Sequence, residues 1–159
     1  MAPGEIDILL IEDNLADVDL TLYVLRQSTL ANRTYVARDG EEALEYLFGR
    51  GAYSDRGPEC PVKLILLDLK LPKLDGLAVL RAIKNGPHTK VIPVVILTSS
   101  REEKDLVNSY DLGANSYVQK PVDFDQFRAL VKQLCLYWLL VNQPPAVTPF
   151  SAKQRRNAP

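Results

Sequence analysis

Short apolar runs alternate along this chain with segments whose apolar residues recur every three or four positions. The runs lie at residues 6–11, 35–37, 64–67, 94–97 and 116–119. Continuous apolar runs of this length are typical of strands that are buried on both faces of a parallel sheet. Pro93 cannot donate a hydrogen bond within a sheet, so we expect it at the first position of the fourth strand.

The segments between these runs have the spacing of amphipathic helices. In the first helix Val18, Leu22 and Leu25 share one face, and Asp13 or Asn14 can cap its start. The last helix is predicted from about residue 123 to residue 141. Five alternations of strand and helix predict an α/β fold, a doubly wound five-stranded parallel sheet of the flavodoxin-like type with strand order 2-1-3-4-5.

Two segments lack periodicity. Residues 50–62 contain two glycines and two prolines and are predicted to form an exposed loop. Residues 143–159 form a Pro-rich tail, which we expect to be flexible and too short for an output domain. Residues 1–142 are therefore predicted to form one domain.

Composition excludes several classes of function. The 159 residues carry a net charge of −1, which gives no electrostatic reason to expect a nucleic acid partner. The longest apolar run, residues 134–141, is far shorter than the ~20 residues that cross a bilayer, so we expect no membrane span and a cytoplasmic protein. Two isolated cysteines, Cys60 and Cys135, are too few for a disulfide framework or a zinc site.

Polar residues of particular types follow four of the five predicted strands. Glu12 and Asp13 follow the first strand, Asp68 the third, Thr98 ends the fourth, and Lys120 follows the fifth. The carboxyl ends of such strands converge on one crevice. A lone Asp in this place is usually a helix cap or turn residue, but the whole set suits a Mg²⁺ ion beside a carboxylate that attacks a phosphoryl group.

The sequence resembles the CheY-like receiver domains of two-component response regulators. The resemblance covers roughly residues 6–135 and rests on five segments. These are Leu9-Leu10-Ile11-Glu12-Asp13-Asn14, Leu66-Leu67-Asp68-Leu69-Lys70-Leu71-Pro72, Asp75-Gly76, Pro93-Val94-Val95-Ile96-Leu97-Thr98-Ser99 and Tyr117-Val118-Gln119-Lys120-Pro121. It implies a three-layer sandwich and a protein that receives phosphoryl groups instead of catalysing turnover.

The resemblance also implies roles for individual residues. Asp68 is the expected phosphoacceptor. Asp13, Asp68 and the backbone carbonyl of Lys70 are the expected Mg²⁺ ligands, with Glu12 acting through water.

Three further residues are implied to act at or beside the phosphoryl group. Thr98 is expected to bond its oxygens, Lys120 to pair with them, and Tyr117 to be the aromatic switch residue. Receivers have a cis bond after this lysine, so a cis Lys120–Pro121 bond is expected.

A narrower resemblance indicates the partner. The Asn14-Leu15-Ala16-Asp17 segment, the long 50–62 insertion and the Tyr137-Trp138-Leu139-Leu140-Val141-Asn142 ending are similar to the small regulators paired with cyanobacterial and other bacterial phytochromes. This resemblance implies a phytochrome-type sensor histidine kinase as phosphodonor. His88 lies in a Pro-rich loop and is expected to be a surface residue with no role as a donor.

Two alternative functions remain open from the sequence. A haloacid-dehalogenase-type phosphatase also uses an Asp after a strand, but it needs a general acid two residues later, where this chain has Lys70. A receiver-like interaction module that is never phosphorylated is the second alternative. Labelling of Asp68 by a small phosphodonor distinguishes it.

The end of the last helix predicts self-association. Phe127, Val131, Leu134 and Trp138 suffice to cover the sheet, yet further apolar residues surround the final two turns. We expect a two-fold homodimer built largely from Leu136, Tyr137, Leu140 and neighbouring residues of the fourth helix or fifth strand. The alternative is that the Pro-rich tail folds back over them.

Overall fold

The computed structural model describes residues 6–27, 33–56 and 62–145, and its strands form a single parallel sheet. The strands run in the order β2-β1-β3-β4-β5, which confirms the predicted topology. Their bounds are β1 (Ile6–Ile11), β2 (Thr34–Ala37), β3 (Val62–Leu67), β4 (Val94–Thr98) and β5 (Ser116–Gln119). Pro93 precedes β4, and its carbonyl accepts a hydrogen bond from the backbone N–H of Ile65 in the neighbouring strand.

Each strand is followed by a helix, and a local Asp or Asn side chain caps the start of every helix except α4. The helices are α1 (Leu15–Gln27), α2 (Gly40–Phe48), α3 (Gly76–Asn85), α4 (Glu103–Asp111) and α5 (Phe124–Leu136). Asn14, not Asp13, caps α1 by accepting a hydrogen bond from the backbone N–H of Asp17 at 3.1 Å. Asp39, Asp75 and Asp123 cap α2, α3 and α5 in the same way.

Two apolar layers enclose the sheet because successive side chains of each strand point to opposite faces. Leu9 and Ile11 of β1 pack with α2 and α3, whereas Ile8 and Leu10 pack with α1 and α5. Cys135 is buried in the second layer, as its helical context predicts, and Cys60 lies outside the described residues. The central strands are therefore buried on both faces, and their carboxyl ends form the accessible edge.

The predicted loop at 50–62 is partly wrong. Gly51–Arg56 forms a 3-10 helix, and residues 57–61 lie outside the described part of the chain. Tyr53 packs edge-on against Tyr35 and Tyr46, and its hydroxyl donates to Glu42 at 3.0 Å. The segment has no repeating apolar face in its sequence because individual side chains, Tyr53 and Arg56, anchor it.

The predicted cis bond at Lys120–Pro121 is also wrong. No peptide bond between described residues is cis, so this bond is trans. A trans bond still allows Lys120 to reach the crevice. The backbone N–H of Lys120 donates to the carbonyl of Thr98, which extends the pairing of β5 with β4 by one residue. The long side chain then reaches the crevice while the chain turns at Pro121 toward the cap Asp123.

The last helix extends as far as predicted, with a change of geometry. α5 ends at Leu136, and a π-helical turn covers Tyr137–Val141. Trp138 packs against the second core layer, whereas Tyr137 is about half exposed. Within the described ranges, no helix has the length and apolarity that crossing a membrane requires.

Candidate functional site

The site is built where β1, β3, β4 and β5 end at the same edge of the sheet. Asp68 directly follows β3 and is 7% exposed. The Oδ1 atom of Asp68 accepts from the Thr98 hydroxyl at 3.0 Å and from the backbone N–H of Lys70 at 3.3 Å. Its Oδ2 atom accepts from Lys120 Nζ at 3.1 Å. Both oxygens of the carboxylate are therefore oriented by groups from three different segments.

An acidic cluster surrounds Asp68. One carboxylate oxygen each from Glu12, Asp13 and Asp68 lies within 4.8 Å of the other two. Glu12 and Asp68 are buried, and Asp13 is exposed. Three carboxylates at this spacing suit a hard, oxygen-preferring cation such as Mg²⁺.

Glu12 has a second, structural task. Its Oε1 atom accepts from the backbone N–H of Asn14 at 3.1 Å, which holds the turn between β1 and α1. Burial raises the pKa of Glu12 to about 7, the hydrogen bond from Lys120 opposes that shift, and the charge of Asp68 adds to it. The part of this shift that comes from Asp68 reflects repulsion between two neighbouring carboxylates, which a cation bound between them would reduce.

Lys120 supplies the only cation that contacts this cluster among the described residues. Its Nζ atom lies 2.5 Å from Glu12 Oε2, 2.9 Å from Asp17 Oδ2 and 3.1 Å from Asp68 Oδ2. Burial alone would lower the pKa of Lys120, but the hydrogen bond to Glu12 and the charges of Asp68 and Glu12 outweigh it and raise that pKa above its ordinary value. Lys120 is therefore an ammonium ion at physiological pH.

A chain of hydrogen bonds leads from the cluster toward α4. The backbone N–H of Ser100 donates to Thr98 Oγ1 at 3.3 Å, and the Ser100 hydroxyl donates to Asp105 Oδ2 at 2.6 Å. The hydroxyl of Tyr117 donates to the Ser100 carbonyl at 3.4 Å. Burial raises the pKa of Tyr117, so its hydroxyl keeps its proton. Thr98 and Tyr117 are thus linked through one residue.

The structure brings together most residues that the sequence singled out. Glu12, Asp13, Asp68, Thr98 and Lys120 meet as expected. The backbone of Lys70 is at the site through its N–H, while its side chain points to solvent, as indicated by its exposure.

Other candidates lie apart from the cluster. His88 is exposed in the loop after α3. Leu136, Tyr137 and Leu140 are between 49% and 56% exposed at the end of α5.

Sequence reasoning gave no role to two residues of the site. Asp17 occupies the third position of α1, where an acidic residue is ordinarily explained by the helix dipole or a capping box. Ser100 follows β4 and resembles any serine in a turn. Nothing in the sequence distinguishes Asp17 from an ordinary acidic residue at a helix start, or Ser100 from an ordinary turn serine.

Comparison with known proteins agrees with this geometry. The family model described as "Response regulator receiver domain" matches residues 8–132. The chain is 41% identical to response regulator Rcp1 of Synechocystis sp. over 87% of this chain and 92% of that protein. A Mn²⁺-bound crystal structure of Rcp1 superposes with a TM-score of 0.81 at 40% identity, covering 89% of this chain and 99% of that one.

Two further solved structures are similar. The phosphorylated cyanobacterial phytochrome response regulator RcpA has a TM-score of 0.83 at 41% identity, with 89% of this chain and 99% of that one covered. The bacteriophytochrome response regulator AtBRR has a TM-score of 0.68 at 52% identity, with 89% and 100% covered. The fold, the acidic cluster and these matches lead to one conclusion, that the chain belongs to the response regulator receiver family.

Proposed function

We propose that Asp68 accepts a phosphoryl group from the phosphohistidine of a sensor kinase. The observation that carries this proposal is the setting of the Asp68 carboxylate, which is buried, surrounded by acidic groups and contacted by both Thr98 Oγ1 and Lys120 Nζ. One carboxylate oxygen forms a bond to phosphorus while the bond from phosphorus to the donor's ring nitrogen breaks, and that nitrogen takes up a proton. The product is an acyl phosphate.

The neighbouring residues have separate roles in this proposal. Lys120 pairs with the oxygens of the incoming group, and the Thr98 hydroxyl turns from Asp68 to one of them. Since Ser100 bonds both Thr98 and Tyr117, a displacement of Thr98 is passed on to the Tyr117 ring. This hydrogen-bonded path supports Tyr117 as the switch residue.

Mg²⁺ fits the donor set of the site. Asp13, Asp68 and the Lys70 carbonyl are the proposed ligands, and Glu12 acts through water. When bound, Mg²⁺ neutralises charge that the phosphoryl group and the carboxylates would otherwise bring together. The carboxylates thereby serve as a metal site without repelling the substrate.

Labelling by a small phosphodonor tests this function. Acetyl phosphate or phosphoramidate with Mg²⁺ should give one acid-stable, base-labile phosphoryl group per chain, and EDTA should prevent it. Asp13→Asn should raise the Mg²⁺ concentration required, whereas Asp19→Asn, on the exposed side of α1, should not. An unlabelled wild-type chain at saturating Mg²⁺ would support the alternative, a receiver-like module that is never phosphorylated. The family match leaves no support for the haloacid-dehalogenase alternative.

We further propose that the donor is a phytochrome-type histidine kinase in the cytoplasm. The support is similarity to three regulators, two of which are described as phytochrome or bacteriophytochrome response regulators. Transfer from an autophosphorylated phytochrome kinase should be much faster than transfer from an unrelated histidine kinase at equal concentrations. Equal rates would contradict this pairing without affecting the role of Asp68.

We also propose that the protein is a homodimer through the end of α5. Leu136, Tyr137 and Leu140 expose 50%, 49% and 56% of their surfaces, and Val141 exposes 58%. The opposite side of the same turn is already packed, because Trp138 and Leu139 contact the core. A second copy covers such a patch with self-complementary contacts. Residues 146–159, which the folded-back alternative requires, lie outside the described residues.

A further inference from the structure

Asp17 makes a contact that the phosphoacceptor chemistry described above does not use. Its Oδ2 atom lies 2.9 Å from Lys120 Nζ, across 103 residues of sequence. An ammonium group has three N–H donors, and those of Lys120 face Glu12, Asp17 and Asp68. Lys120 therefore has no donor left for another oxygen until one of these contacts is released.

The local structure of α1 directs the Asp17 side chain toward the crevice. In a capping box, an acidic residue at the third helical position reaches back to the backbone N–H of the cap residue. Here that N–H, on Asn14, already donates to Glu12 Oε1 at 3.1 Å. The Asp17 carboxylate is thus left available, while its own N–H remains fixed by the Asn14 side chain.

We propose that Asp17 is a positioning residue that holds the Lys120 ammonium on the α1 side of the crevice and so limits its transfer to a phosphoryl group on Asp68. The proposal rests on the phosphoacceptor function of Asp68. Asp17 differs from Glu12 and Asp68 in that its side chain is 36% exposed, against 3% and 8% for the other two. Because water screens an exposed carboxylate, the ion pair between Asp17 and Lys120 is the weakest of the three and the one that Lys120 most readily gives up for another oxygen.

Removal of the Asp17 charge should make Lys120 more available to the incoming phosphoryl group. At saturating Mg²⁺, Asp17→Asn should accelerate phosphorylation by acetyl phosphate about two- to fivefold, the range expected for a partly exposed ion pair. Asp17→Glu keeps the charge and should retain the wild-type rate. Asp19→Asn removes the same charge from an exposed position of the same helix and should change the rate little.

A double-mutant cycle separates action through Lys120 from a general effect of charge. In a Lys120→Met background the acceleration by Asp17→Asn should disappear. An equal acceleration in that background, or none in the wild-type background, would overturn the proposal.

A second measurement needs neither Mg²⁺ nor phosphorylation. In metal-free protein, acetylation of Lys120 by an amine-specific reagent is measured by peptide mass spectrometry relative to the exposed Lys132. Only the neutral amine is acetylated, so Lys120 must leave its ion pairs and lose a proton before it reacts. Asp17→Asn removes one of these ion pairs and should increase the relative labelling of Lys120 at least twofold. Unchanged labelling would show that Asp17 does not hold Lys120. This result stands even if Asp68 proves not to be phosphorylated, which would contradict the proposed function alone.

Discussion

Thr98 links Asp68, the proposed phosphoacceptor, to the segment that follows β4. Its side chain is fully buried, its hydroxyl donates to Asp68 Oδ1, and the same oxygen accepts from the Ser100 N–H. Thr98→Val preserves the shape but removes both bonds. We expect a loss of about 1–2 kcal/mol in the free energy of unfolding, measured with urea, and a slower phosphorylation of Asp68. Thr98→Ser retains the hydroxyl and should retain most of the wild-type stability and most of the wild-type phosphorylation rate. Equal behaviour of the two variants would contradict a role for the hydroxyl.

We expect Gly76 to be required because α3 begins directly against the backbone of Asp68, the proposed phosphoacceptor. A Cβ atom at this position would lie 2.4 Å from the Asp68 carbonyl oxygen and 2.5 Å from Leu69 Cα. Gly76→Ala should therefore displace Asp68, cost about 1–3 kcal/mol of stability and impair phosphorylation. Gly86→Ala creates a similar clash with Thr89 Oγ1 at the other end of α3 and serves as the control. It should cost stability and leave the phosphorylation rate near that of the folded wild type.

The residue types at the strand ends predict most of the residues that meet at the site. Asp68, Thr98 and Lys120 are informative as a set: a lone Asp after a strand is usually a cap or turn residue, but a carboxylate, a hydroxyl and an ammonium at three strand ends point to one site. Asp17 is different, since its type and position satisfy an ordinary helix start. The family resemblance predicts a cis bond at Lys120–Pro121, whereas the bond is trans, because a resemblance does not show how this chain directs the lysine side chain into the crevice.

At the scale of elements, apolar periodicity predicted every strand and helix except the 3-10 helix Gly51–Arg56. This segment is held by single side chains. The Arg56 guanidinium lies 3.8 Å from the centre of the Tyr46 ring, and Tyr53 bonds Glu42. Glu42 also accepts from the backbone N–H of Arg38 and so ties the segment to the turn before α2. Contacts of this kind depend on tertiary structure and leave no periodic pattern in the sequence.

Tyr53→Ala should release this segment while leaving the domain folded. We expect severalfold faster tryptic cleavage at Arg50 or Arg56, because the backbone there loses the aromatic contacts that restrain it. The thermal midpoint should change little. Tyr23→Ala, which removes an exposed tyrosine from α1, is the matched control and should leave cleavage unchanged. Resistance of the Tyr53 variant to trypsin would contradict the anchoring role.

At the scale of the whole molecule, the exposed end of α5 predicts a dimer. Leu136→Arg with Leu140→Glu should convert the protein to a monomer in sedimentation velocity at low micromolar concentration. Both positions are about half exposed, so the monomer should remain folded. Val122→Glu places a charge on a residue that is 96% exposed elsewhere and should leave the dimer intact. A wild-type protein that is monomeric with and without phosphodonor would favour coverage of this patch by the tail.

The central claim, that Asp68 is the phosphoacceptor, is tested most directly by intact-protein mass spectrometry after incubation with Mg²⁺ and acetyl phosphate. The wild-type chain should gain the mass of one phosphoryl group, and hydroxylamine, which cleaves acyl phosphates, should remove it. Asp68→Asn keeps the size of the side chain and should gain no mass under the same conditions. Stoichiometric labelling of the Asp68→Asn variant would contradict the account.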